Sequence, residues 1–208
     1  MAVTEDVTTR RVPVEHRLLG LDKRSFPYAL FAVAVFLVAT VLIPRIDDAL
    51  DWDDPVQAGE QLALTDTLAF VPTTGWNVVR GVRLEGAGII GSGPAAVTSD
   101  GVTLTILTGE FDGTPQALVT QIEKVTRSTD DPSFTISADT RTLTTDAGDV
   151  GVVQTYSSLT GDGLVAAFVI DGTGVRVTAY GPPAQLHAAA EEIDAMIASI
   201  RTVERGTR

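Results

Sequence analysis

Few residues in this chain are equipped for chemistry. Histidine occurs twice, at His16 and His187. A long apolar run, from Tyr28 to Ile43, lies between them and predicts that they face different compartments, so they cannot join in one metal site or proton relay. A Ser-His-Asp triad would have to use His187, and no G-x-S-x-G presents a nucleophile. There is no cysteine. That excludes disulfides, thiolate metal ligands, thiol catalysis and a lipid-modified cysteine. Glu191 and Glu192 are adjacent, so on a helix they point apart. Asp130 and Asp131 fall in a loop. A carboxylate pair assembled by folding leaves no trace in linear spacing.

Two motifs invite a reading and fail it. Asp47, Asp48, Asp51, Asp53 and Asp54 fall within eight positions. A calcium loop starting at Asp51 would need an oxygen ligand at its fifth place and Gly at its sixth, where Pro55 and Val56 stand. The cluster reads instead as a solvated acidic stalk, with a weak divalent-cation site as the alternative. Gly86, Gly88 and Gly91 satisfy G-x-G-x-x-G. A dinucleotide site also needs a helix to open there and receive the pyrophosphate. Gly93 and Pro94 follow at once, then strand-like sequence, so a loop between strands is expected. Ile89 and Ile90 within it are candidate contacts for a partner. No catalytic, cofactor-binding or metal residues are expected.

The elements that would position any site divide at the apolar run. With Phe26 and Pro27 it reaches about 18 residues, near the lower limit for crossing a ~30 Å hydrocarbon core. Arg10, Arg11, Arg17, Lys23 and Arg24 precede it, and only Arg45 follows before Arg80. The positive-inside bias then places the N-terminus in the cytoplasm and the body outside, at a plasma membrane. A cleaved signal peptide is the rival reading, but its charged region would be long and no small-x-small cleavage site follows. The expected organisation is a cytoplasmic basic segment at 1–25, a transmembrane helix at 26–44, an acidic linker at 45–58, an extracytoplasmic domain at 59–203 and a tail at 204–208. Net charge is −12, which argues against nucleic acid as a partner.

Periodicity predicts an α+β domain. Short strands are expected over 62–64, 68–71 and 76–79, with Trp76 as a core anchor. Val102, Leu104 and Ile106 alternate with threonines, the period of a strand covered on one face. Thr114 and Pro115 open a helix whose apolar face is Leu118, Val119, Ile122 and Val125. A meander follows from Ser133, and Leu164 to Ile170 has the unbroken apolarity of a central strand. Pro182 and Pro183 open a last helix with a stripe of Leu186, Ala190, Ile193, Met196, Ile197 and Ile200; Glu191, Glu192 and Asp194 face out.

Phe70-Val71-Pro72 with Gly75-Trp76, a central helix, a meander and a final Ala198-Ser199-Ile200 resemble the PsbP-like α/β/α sandwich, also found in exported lipoproteins of the LpqN type. The stretch from Arg17 through Tyr28 is similar to the start of uncharacterised single-pass actinobacterial membrane proteins. Without a lipobox cysteine, the spanning helix would replace the lipid anchor. The resemblance implies an antiparallel sheet flanked by helices and an accessory or binding role without catalysis. The expectation is a membrane-anchored extracytoplasmic protein that binds a membrane or envelope protein or another envelope component. The alternatives are a carrier of a small lipid or glycan held between sheet and helix, or an unrecognised hydrolase.

Overall fold

A computed structural model describes residues 17–18, 21–22, 26–37, 40, 53–84, 91–159 and 161–203. The chain forms two compact units, Met1–Trp52 and Asp53–Arg208.

In the first unit, β1 (Arg17–Leu18) and β2 (Leu21–Asp22) pair antiparallel. Helix α1 spans Phe26–Leu37. No helix among the described residues is long and apolar enough to cross a membrane. Apart from Thr40, the rest of the expected span, 38–44, lies outside the described residues.

The second unit is α+β and built on antiparallel sheets. Its short early strands are β3 (Leu62–Ala63), β4 (Leu68–Phe70), β5 (Asn77–Arg80) and β6 (Val82–Arg83). Then come β7 (Ala95–Ser99), β8 (Val102–Glu110) and helix α2 (Pro115–Thr129). Strands β9 (Thr135–Ile136), β10 (Arg141–Thr144), β11 (Val150–Ser157), β12 (Gly163–Ile170) and β13 (Thr173–Tyr180) follow. The unit closes with α3 (Pro183–Ala188), α4 (Ala190–Ala198) and β14 (Arg201–Thr202). The main sheet runs β10-β11-β12-β13-β8-β7-β5, with β9 added alongside β11. A smaller sheet runs β14-β4-β3-β6.

Local chemistry explains the turns. Asp100-Gly101 and Asp171-Gly172 each carry two positive φ angles, 48° and 79°, then 49° and 74°. These are two-residue hairpin turns of the primed kind, whose twist matches that of the flanking strands. Thr114 caps α2 by accepting from the Ala117 N–H at 3.2 Å, a contact of about 1 kcal/mol.

Side-chain alternation divides the core between the two faces of the main sheet. Val165 and Ala167 of β12 pack with Leu118, Val119 and Ile122 of α2. Ala166, Phe168 and Ile170 point the other way, toward Ile193, Met196, Ile197 and Ile200 and the small sheet's Leu62, Leu68 and Phe70. Strand β12 is thus covered on both faces, as its composition predicts. The second face is closed by a helix and a small sheet together.

Several expectations need correction. Val125 is 47% exposed, and Thr126 takes its place on the buried face of α2. The final helix breaks at Ala189, and Ala190 is exposed. Glu192 and Asp194 are not merely solvated: Glu192 Oε2 accepts from Trp76 Nε1 at 2.6 Å, and Asp194 takes a two-pronged bond from Arg141 at 2.8 and 2.9 Å. The folded unit starts at Asp53, inside the segment expected to be linker. Val56 is buried, Pro55 bridges to Asn77, and Arg83 grips Asp54 with two bonds of 2.7 and 2.8 Å. Those bonds hold the Asp54 carboxyl below its ordinary pKa. Two sequence fragments far apart meet at Ser199. Its hydroxyl donates to Met196 O at 2.6 Å and accepts from the Val71 N–H at 2.9 Å, fastening the end of α4 to the edge of β4.

Candidate functional site

The most promising site is a groove of about 620 Å³ beside α3. Small-ligand sites occupy roughly 300–1,000 Å³. The groove's construction follows from strand alternation. Ser157 pairs with Thr135 and Tyr156 with Ile136. Ile136 and Tyr156 point into the core beneath α2, where Phe134 stacks against Tyr156 at a centroid distance of 4.8 Å. Burial there pushes the Tyr156 phenol above its ordinary pKa. Thr135, Ser137, Thr155 and Ser157 therefore face the opposite side, and all four line the groove.

The floor continues onto β12, where Leu164 lies opposite Thr155. Pro183, Leu186 and His187 of α3 form the facing wall. Helix α3 has no buried residue; only Leu186 and the following Ala189 pack against the main core. One end of the groove holds Gly163 and Asp162, and the Asp162 carboxylate accepts a short hydrogen bond from the Ser157 hydroxyl. Among the described residues that line the groove, Asp162 is the sole carboxylate, and there is neither Lys nor Arg. The arrangement offers hydroxyls, one carboxylate, one imidazole and an apolar wall. It supports binding by hydrogen bonds and C–H contact more readily than carboxylate-pair hydrolysis, which needs a second acid across the site.

Trp76 is 2% exposed and belongs to the core, as expected of an anchor. Its indole bond to Glu192 ties the first turn of α4 to the sheet, next to a smaller cavity of about 270 Å³ that also meets Asp100. His187 lies in the groove wall, and His16 is outside the described residues. Ile89 and Ile90, the candidate partner contacts, are outside them too, as are Gly86 and Gly88. The element that follows Gly91 is strand β7, not a helix. Asp130 and Asp131 end α2, where Asp131 accepts from the Ser133 hydroxyl at 2.6 Å, from its N–H at 2.8 Å and from the Leu159 N–H at 2.9 Å. These bonds hold its carboxyl below the ordinary value. Among the described residues no three His, Asp or Glu side chains gather as a metal site.

Sequence reasoning missed the groove. The signal was present in part: Thr135, Ser137, Thr155 and Ser157 are hydroxyl residues at every second position of two segments. No protein-family model and no curated protein matches this sequence. Among solved structures, the chain is similar to the solution structure of cyanobacterial PsbP (CyanoP) from Synechocystis, at 15% identity and a TM-score of 0.47, covering 71% of this chain and 94% of that one.

Proposed function

We propose that this chain is a non-catalytic, membrane-anchored protein whose extracytoplasmic domain binds a small lipid or glycan in the groove between sheet and α3. In this reading the domain has the PsbP-like architecture of LpqN-type exported proteins, with residues 26–44 as the anchor in the plasma membrane and residue 1 in the cytoplasm. The observation that carries the ligand reading is the groove itself: a concavity of about 620 Å³ lined by hydroxyls and Leu164, Leu186 and Pro183. The basic flank and the apolar run support the anchor. A tether of this kind raises the effective concentration of the domain near other membrane components.

Native mass spectrometry of the full-length chain, gently extracted from its own membrane, tests the reading. A small-molecule adduct should accompany the wild type and vanish in Leu164→Trp, which fills the groove. An adduct of the same mass in both proteins would overturn it. Protease added to intact cells should trim the domain and spare a tag at residue 1; the reverse result would remove the assigned sidedness. A protein partner docking at Ile89 and Ile90 is compatible with the same tether, and crosslinking from those positions tests it separately.

A further inference from the structure

Among the described residues that line the groove, Asp162 is the one carboxylate, and none is Lys or Arg. Its Oδ1 accepts from Ser157, and Oδ2 has no hydrogen-bond partner among the described residues. Both side chains are exposed, and the bond from Ser157 biases the carboxylate so that one acceptor oxygen stays open at the end of the groove. The Thr155 hydroxyl, opposite Leu164 on the floor, is likewise without a partner among the described residues.

From this geometry we infer that Asp162 determines the specificity of the groove, and that the ligand is a neutral polyol: a sugar unit that donates hydroxyls to Asp162 and lays a C–H face on Leu164 and Leu186. The inference rests on the ligand-binding reading above and narrows it. Three features weigh against the other chemistries. An anionic head would meet the Asp162 carboxylate, with no Lys or Arg among the described lining residues to offset it. A bare hydrocarbon chain would suit Leu164, Leu186 and Pro183, but it would cover the Asp162 carboxylate and the Thr155 hydroxyl and return no hydrogen bond to either. A fully polar ligand would leave Leu164 and Leu186 unused. A sugar ring satisfies all three, whether it arrives as a free saccharide or as the head of a glycolipid.

Amide chemical shifts of the full-length chain in lipid nanodiscs provide the test, with maltotriose, octyl glucoside below its micelle concentration, and octanoate as probes. The amides to follow are those of Thr155, Asp162, Leu164 and Leu186. Octyl glucoside should move them and octanoate should not. A response to maltotriose as well means that free saccharide suffices; a response to octyl glucoside alone points to a glycolipid head. Asp162→Asn keeps an oxygen for Ser157 and removes the charge, so glucoside affinity should fall about tenfold. Ser157→Ala, which frees the carboxylate to rotate, should weaken binding by a smaller factor. Octanoate binding to the wild type as tightly as the glucoside, or unchanged glucoside affinity in Asp162→Asn, would overturn the inference and leave the groove reading intact. If none of the three probes moves these amides, the groove reading itself falls.

Discussion

Gly163 is where the floor of the groove and the stability of the sheet meet. It opens β12, paired with Tyr156 on one side and Tyr180 on the other. A Cβ added there would lie 2.3 Å from the carbonyl oxygen of Ala179 and 2.8 Å from two ring atoms of Tyr156. The ring can swing, but the carbonyl belongs to the backbone of the neighbouring strand. Gly163→Ala must therefore part β12 from β13 locally. Overpacking of this kind costs roughly 1–3 kcal/mol. A clash with backbone belongs in the upper half of that range, about 2–3 kcal/mol; replacing glycine in a strand returns about 0.5–1 kcal/mol, so the net loss is about 1–2.5 kcal/mol. For a domain of this size each kcal/mol moves Tm by roughly 2–4 °C, which gives an expected fall of about 2–10 °C. Gly109 on β8 is the control: an added Cβ meets nothing within 4 Å, and its φ is not in the left-handed region. Gly109→Ala should leave Tm unchanged or raise it. Calorimetry on the two variants decides the matter. A Gly163→Ala protein as stable as the wild type would refute the close strand approach and the position of the Tyr156 ring.

Thr126 carries a buried hydroxyl with no hydrogen-bond partner among the described residues. Thr126→Val keeps the shape and removes the unsatisfied group, so thermal unfolding should show a gain of about 1 kcal/mol. Ser199→Ala strips the link between α4 and β4 and leaves the Val71 N–H unpaired; denaturant titration should report a loss of about 1–2 kcal/mol. Asp131 titrates below its ordinary value of 3.8 when folded. Its bonds to Ser133 and Leu159 stabilise the fold above that value and are lost as pH falls through the lower folded pKa. The Leu159 amide shift should follow that acid transition and lose it in Asp131→Asn.

Most of the fold was legible because the covering of each strand is written in its periodicity. Leu164 to Ile170 is apolar at every position and is buried on both faces. Val175, Val177 and Ala179 alternate with Arg176, Thr178 and Tyr180, and only the first set is buried. The errors fall where tertiary contacts choose between equivalent local patterns. Val125 and Thr126 both suit a helical face, and packing against the sheet selects Thr126. Helix α4 is separated from α3 at Ala189, with neither Gly nor Pro at the break. Asp54 and Val56 read as linker because Arg83, which secures Asp54, is 29 residues away.

The groove was illegible for a related reason, and its composition argues that it is more than a gap in packing. Leu186 is the only large aliphatic side chain of α3. That helix cannot cover the corner where β9 meets β11, and the strand positions facing it are Thr135, Ser137, Thr155 and Ser157. In sequence, these residues look like an ordinary solvent-facing row; concavity appears only when α3 stands opposite them. An apolar defect of the same size would lose dispersion contacts and stay dry. This groove is open to solvent, and the hydroxyls on its floor are groups that water can bond. It is therefore stable when empty, and an incoming ligand must replace those water bonds or lose affinity. A polyhydroxylated ring can replace them one for one while Leu164 and Leu186 take its apolar face, whereas a hydrocarbon can only remove them.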